Sequence, residues 1–270
     1  MLASLVAKTR VRLDIALVER GLAPSRERAQ SLILAGVVRV DGRVADKAGR
    51  AVAPEAAIEV AGEDHPWVSR GGVKLAAALD AFGIDPAGRR CLDVGASTGG
   101  FTDVMLQRGA AQVVALDVGR GQLDWKLRSD PRVVVAEGIN ARLLAETDVP
   151  GPFGLVTADV SFISLRLVLP ALVPVLAPDG DLVALIKPQF EAGRGQVGKG
   201  GVVRDPAVRE AAIVAVVEAA KELGLECHGR VPSPIEGPAG NLEELAWFRH
   251  ESGRPSRDLV DSAGQTLVRA

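Results

Sequence analysis

From residue 89 onward, short apolar runs recur between polar, glycine-bearing stretches, and each run is apolar at consecutive positions instead of alternate ones. A strand reads this way when both of its faces are buried, as in a parallel sheet covered by helices. The pattern predicts strands at 91–95 (CLDVG), 112–117 (QVVALD), 132–136 (RVVVA), 153–159 (FGLVTAD) and 181–187 (DLVALIK), with two more near 225–231 and 244–249. Helices are expected between them, including one over 205–223. Strands alternating with helices predict a doubly wound α/β sheet, in which ligands lie at the carboxyl ends of the strands.

The first sixty residues are patterned differently. In 12-RLDIALVERG-21, Leu13, Ala16 and Leu17 fall at helical spacing before a terminating glycine. In 25-SRERAQSLILAG-36, Ser25 can cap a second helix, Ala29, Leu32 and Ile33 form its buried stripe, and Arg26 and Arg28 stay exposed. The stretch 37-VVRVDGRV-44 alternates around Asp41-Gly42, a strong hairpin signal. Two helices and a hairpin predict a small α+β domain over 1–62; the polar, proline-bearing 63–70 (EDHPWVSR) reads as a linker, and the sheet domain fills 71–270.

Length and composition agree with one large core and one small domain: 270 residues, 47% hydrophobic. The net charge of -2 hides an asymmetry, since residues 1–62 carry 10 Lys+Arg against 7 Asp+Glu while the remainder carries 22 against 27. A basic head on an acidic body points to a polyanion partner. Cys91 and Cys227 cannot build a disulfide framework, so a reducing compartment is expected. His65, His228 and His250 show no metal-ligand spacing, so no metal is expected. The most apolar run, 167-LVLPALVPVLA-177, is short and holds two prolines, and no charged-then-apolar leader opens the chain. A soluble, cytoplasmic protein without membrane contact is the expectation. With no tyrosine and few other aromatics, nucleic-acid binding should rest on shape and phosphate contacts.

The head resembles the S4 RNA-binding fold over residues 11 to about 61. That resemblance implies phosphate contacts from Arg12, Arg26, Arg28, Arg39 and Arg43, with Ser25 and Gln30 assisting.

The loop 95-GASTG-99 admits several chemistries. As a nucleophile elbow it needs a later acid and histidine for Ser97, yet only His228 and His250 follow and no HGGG-type segment exists. The nicotinamide fingerprint G-x-G-x-x-G is not met, and no Lys-Ser or Lys-Thr follows to make a phosphate loop. What remains is a glycine loop after the first strand, Gly95, Ala96, Ser97, Thr98, Gly99 and Gly100, with Asp117 closing the second strand where a carboxylate can accept both hydroxyls of a ribose. That pair is the class I, Rossmann-like methyltransferase signature, with S-adenosylmethionine as cofactor.

Lys187 ends an apolar strand at the ligand edge, and 159-DVSF-162 stands where amine-methylating enzymes of this fold carry an Asn- or Asp-Pro-Pro-aromatic segment. Lys74, Asp159, Lys187 and Glu243 make a Lys-Asp-Lys-Glu order. With the segments SRGGVKL, DVGASTGGF, DVGRGQL, DVSFISL, KPQFE and GNLEE, the chain resembles the FtsJ-type ribose 2′-O-methyltransferases, and more closely the TlyA family of ribosomal RNA methyltransferases, also labelled haemolysin A. The resemblance implies a catalytic tetrad of Lys74, Asp159, Lys187 and Glu243, with Glu244 as the alternative fourth member. It also implies cytidine 2′-hydroxyls of small- or large-subunit ribosomal RNA as substrate and ribosomal RNA or subunits as partner. A ribose hydroxyl must lose its proton as it attacks, and an amine can take that proton only when neutral; Lys187 is the expected base, Asp159 and Glu243 position it, and Lys74 helps hold ribose or phosphate. In place of the family's Arg-x-Trp-Val the linker has 65-HPWV-68. The glycine-rich 191–204, with Arg194, Lys199 and Arg204, reads as a loop beside the site, and the sequence is silent on oligomeric state. Two other readings stand against the enzyme: a haemolysin without enzymatic role, and a catalytically inactive RNA-binding protein.

Overall fold

The structure, a computed structural model, describes residues 10–251 apart from 24, 35, 61–64 and 148. The expected boundary at 62–63 and the tail beyond 251 lie outside the described residues.

In the head, β1 (Val11–Arg12) leads into α1 (Leu13–Glu19), and α2 (Arg26–Leu34) follows. Strands β2 (Val38–Val40) and β3 (Arg43–Val44) form the expected hairpin, with Asp41 and Gly42 both at positive φ. Strand β4 (Ala51–Val52) pairs antiparallel with β1, and β5 (Ile58–Val60) with β2. Leu13, Ala16, Leu17, Ala29 and Ile33 are buried together, with Leu32 packed at their margin, so the helical stripes seen in the sequence are the core of the head.

The chain then enters α3 (Gly71–Phe82), β6 (Arg90–Val94), α4 (Gly100–Gln107), β7 (Gln112–Asp117), the short α5 (Trp125–Arg128), β8 (Val133–Glu137) and β9 (Phe153–Ala158). After α6 (Leu169–Leu172) come β10 (Leu176–Ile186), α7 (Pro188–Glu191), α8 (Pro206–Glu222), β11 (Leu225–Pro232) and β12 (Glu244–His250). The seven strands from β6 on form one sheet in the order β11-β12-β10-β9-β6-β7-β8. β12 alone runs against its neighbours, antiparallel to both β10 and β11. Consecutive residues of each strand serve opposite faces: Cys91, Val113 and Val183 pack under α3 and α4, whereas Leu92, Val114 and Leu182 pack with α6 and α8. That is why the strands read as unbroken apolar runs. Burial pushes the Cys91 thiol up to about 12, as expected of a structural cysteine.

Two expectations are adjusted. The strand expected from 181 begins at Leu176, which pairs with Phe153 before a register shift at Asp181. At its other end the strand stops at Ile186, because Pro188 cannot extend the ladder and instead opens α7, with Lys187 at its N-cap position. The connections after β7, β8 and β9 hold only short helices and 3-10 turns, and Pro170 and Pro174 divide the one before β10.

Candidate active site

Four elements deliver side chains to one edge of the sheet. The parallel strands β6, β9 and β10 end there in the glycine loop, Asp159 and Lys187. Because β12 is antiparallel, its beginning lies at the same edge, which brings in Glu243. Lys74 arrives from the first turn of α3. All four line one cleft of about 530 Å³, together with Gly95, Ala96, Ser97, Thr98 and Gly100 of the glycine loop.

The tetrad is two ion pairs. Lys187 Nζ lies 2.6 Å from Asp159 Oδ1 and donates to Ser161 Oγ at 2.8 Å. Lys74 Nζ donates to Glu243 Oε2 at 2.5 Å, with both side chains buried. Glu243 was expected to position Lys187; the structure pairs it with Lys74 instead. The Glu243 and Glu244 alternatives separate because successive residues entering a strand point to opposite sides: Glu244 reaches Arg230, outside the cleft. Glu243 Oε1 and Gln189 Oε1 are buried acceptors in the cleft wall with no hydrogen-bond partner among the described residues.

Backbone contacts explain the glycines. Gly95 has φ 84°, and a Cβ there would meet the Asp159 carbonyl, so the loop after β6 can lie against the segment after β9 only with glycine at this position. A Cβ on Gly100 would fall 2.8 Å from Gly72 N, so α3 and α4 start in direct backbone contact. Gly99 faces inward against Leu123 and Leu127. Asp117 accepts from the Ser97 N–H at 2.8 Å and the Gly119 N–H at 2.7 Å, tying the loop to the end of β7 while leaving lone pairs on both oxygens.

Several residues went unnoticed in the sequence. Phe162 is 92% exposed beside the cleft, meets the Phe190 ring at a tilt of 50° with centroids 5.3 Å apart, and holds φ 63°, a left-handed conformation that costs a bulky residue energy. Its segment is pinned by Glu191, which accepts from Ser164 Oγ and the Leu165 N–H. The buried Asn241 donates to Gly201 O at 2.8 Å and accepts from the Val203 N–H at 3.0 Å, so the glycine-rich loop is fastened two residues from Glu243. Beneath the glycine loop Asp93, fully buried, accepts from Thr102 Oγ1 at 2.6 Å and Thr157 Oγ1 at 3.2 Å. Burial pushes its carboxyl up to about 7 against those two hydrogen bonds, and the nearby Asp159 charge adds to the rise.

In the head, six of the seven residues expected to bind RNA are engaged within the fold. Ser25 caps α2 by accepting from the Arg28 N–H at 3.2 Å. Arg12, Arg26 and Gln30 all donate to the buried Asp14, a residue the sequence pattern did not single out. The Arg28 guanidinium donates to the carbonyls of Trp67 and Val68, and that of Arg39 to Gly42 O at the hairpin. Arg43 is exposed on β3. Among the described residues no group of His, Cys, Asp and Glu could hold a metal ion, and no helix is long and apolar enough to cross a membrane.

A seven-stranded sheet with a glycine loop and a Lys-Asp-Lys-Glu cleft at its carboxyl edge is a methyltransferase architecture, here preceded by an S4-type head. Residues 67–250 match the family described as FtsJ-like methyltransferase and residues 11–58 match the S4 domain. The chain is 55% identical over 261 residues to the Mycobacterium tuberculosis protein named 16S/23S rRNA (cytidine-2′-O)-methyltransferase TlyA, covering 96% of this chain and 97% of that one. It is 43% identical to Hemolysin A of Brachyspira hyodysenteriae, over 88% of this chain and 99% of the relative. A solved structure of a Streptococcus thermophilus protein described as a hemolysin aligns with a TM-score of 0.70 at 42% identity, covering 91% of this chain and 90% of that one. The chain belongs to the TlyA family of FtsJ-like methyltransferases, as the resemblance read from its motifs implied.

Proposed function

We propose that this protein methylates the 2′-hydroxyl of cytidine in small-subunit, large-subunit or both ribosomal RNAs, using S-adenosylmethionine, in the cytoplasm. The observation that carries the reading is the pair of lysine–carboxylate contacts on the cleft wall beside a glycine loop. The division is a head over 1–62, a linker over 63–70 and a catalytic domain over 71–270.

The residues present suit the cofactor. Gly95 to Thr98 and Gly100 offer backbone at close range, Asp117 keeps lone pairs for a ribose diol, and Gln189 Oε1 and Asp159 suit a cationic ligand. Bound there, S-adenosylmethionine supplies an electrophilic methyl on a sulfonium. The Lys187 ammonium first gives a proton to solvent, and the free amine then takes the proton of the attacking hydroxyl onto Nζ. Asp159 and Ser161, at 2.6 and 2.8 Å, hold that nitrogen in place. Lys74, fixed by Glu243, orients the ribose, and Phe162 gives an unstacked base a ring to lie on. The S4 head binds folded RNA through Arg12, Arg26, Arg28, Arg39 and Arg43, with Ser25 and Gln30 in support.

The test is transfer of a labelled methyl to unmethylated ribosomal subunits by wild type and Lys187→Ala, with cofactor binding measured on both proteins. Label on a ribose 2′-oxygen, absent in the variant while cofactor binding persists, supports the assignment. Wild-type label on a base, or equal transfer by the variant, overturns it.

A further inference from the structure

Asp14 is fully buried in the first turn of α1, yet it is the meeting point of three of the side chains proposed above to serve RNA binding. Arg12 donates to it from both Nε and Nη2 at 3.0 Å, Arg26 donates Nε at 2.9 Å, and Gln30 donates Nε2 at 2.9 Å. Arg26 and Gln30 are four residues apart on α2 and share a face of that helix, so both reach the same carboxylate across the α1–α2 contact. Each guanidinium turns its Nε edge inward. The two side chains are 47% and 51% exposed, and the N–H groups not spent on Asp14 remain available at the surface.

We infer that Asp14 is a positioning residue for RNA binding: it holds Arg12 and Arg26 as an ordered pair of forks whose outer N–H groups take phosphate oxygens of RNA. The inference rests on the ribosomal RNA reading above. Its physical content is preorganisation. An arginine that binds phosphate loses rotamer freedom, and that loss weakens binding unless the side chain is already ordered. A guanidinium is planar and carries five donors, so it can be gripped along one edge and still offer a phosphate the other. Two cations on one anion leave a net positive charge, which the head then presents in a fixed direction.

The alternative has the opposite sign. If Asp14 acts only as charge, it subtracts from a basic surface, and Asp14→Asn should bind RNA more tightly. Positioning predicts that the same substitution, although it removes a negative charge, weakens binding by about tenfold. In methyl transfer it should raise KM for RNA and leave kcat unchanged, since the cleft is untouched.

The experiment measures binding of the full-length protein to in vitro transcribed small- and large-subunit ribosomal RNA across a salt series. It compares wild type, Asp14→Asn and the double variant Arg12→Lys/Arg26→Lys. The lysine pair preserves every charge and the buried aspartate but cannot be gripped along one edge while presenting another. It should bind about tenfold more weakly with an unchanged dependence on salt. Amide exchange in α1 and α2 reports whether Asp14→Asn keeps the head folded; if it does not, the lysine pair alone decides. Wild-type affinity in the lysine pair, or unchanged or tighter binding by a folded Asp14→Asn, overturns the role of Asp14 and leaves the RNA reading standing. Failure of wild type to bind either transcript overturns both.

Discussion

The head and the cleft use carboxylates in different ratios to cations, and the ratio matches what each region has to do. In the head one buried aspartate, Asp14, holds two arginines, and the arrangement keeps a surplus of positive charge. In the cleft Asp159 and Glu243 hold one lysine each, so charge is balanced pair by pair. A surplus attracts a polyanion from a distance, whereas balanced pairs in a secluded cleft are set against each other for proton handling and orientation. Asp93 completes the series: among the described residues its hydrogen bonds come from the Thr102 and Thr157 hydroxyls and the Thr102 backbone, with no cation.

Removing the cation from one pair in the cleft has the largest expected effect. Lys187→Ala should lower methyl transfer by about 10²–10⁴-fold while cofactor binding survives, because general-base catalysis is worth that much. Ser161→Ala, which removes only a hydroxyl that accepts from Lys187, should lower kcat by about tenfold and leave KM for RNA unchanged. If Ser161→Ala matches Lys187→Ala, the hydroxyl and not the amine is the essential group.

The second pair tests balance itself. Glu243→Ala leaves the Lys74 ammonium buried without its partner and should cost about 3–5 kcal/mol of stability as well as activity. Lys74→Met/Glu243→Leu removes both charges and should recover stability to within about 1 kcal/mol while staying inactive. Chemical denaturation of the three proteins separates the outcomes: a double variant as unstable as Glu243→Ala would show that the pair holds the fold and not the substrate.

These arrangements were unequally legible in the sequence. The seven-stranded sheet was readable because two-sided burial writes itself as continuous apolar runs, and the head because Leu13, Ala16 and Leu17 repeat at helical spacing. The extra length of β10 was hidden, since its first residues include Pro178 and Gly180, which mark turns in isolation. The tetrad members could be picked by motif, but not who pairs with whom: that depends on β12 running antiparallel and setting Glu243 against α3. Asp14 was invisible for a related reason. An acid in the first turn of a helix is ordinary, and only the packing of α2 across α1 converts it into the anchor of three side chains. The backbone of Phe162 is likewise a consequence of tertiary constraint, here the Glu191 clamp, and no residue preference announces it.

Phe162 sharpens the view of the cleft as a place where stability has been traded for recognition. Phe162→Gly relieves the left-handed strain and loses little burial, so it should raise stability by about 1 kcal/mol. The same change removes the exposed ring and should raise KM for RNA by about tenfold, with cofactor affinity unchanged. Thermal unfolding and steady-state kinetics on one preparation test both halves, and a less stable variant with normal KM would assign Phe162 to packing against Phe190 instead.

The smallest effect concerns the carboxylates at the two ends of the series, and the comparison predicts opposite signs for them. Arg12 first, against the opposing effect of burial and with Gln30 and Arg26 adding, holds the Asp14 carboxyl well below the usual range. A group depressed in the folded state contributes stability above its unfolded value, near 4, and that contribution fades as pH falls below it. Asp93 is pushed the other way, up to about 7, so between about 4 and 7 the native chain keeps a proton that the unfolded chain has lost. Its contribution therefore declines as pH rises through that window and levels off above it. Asp93→Asn cannot ionise and lacks this decline. Between pH 5 and pH 8 the Tm of wild type should fall relative to Asp93→Asn by about 3 °C, while Asp14→Asn should track wild type over the same interval. Parallel curves for wild type and Asp93→Asn would mean that Asp93 ionises in the native protein at ordinary pH, with Thr102 and Thr157 enough to hold its charge without a cation.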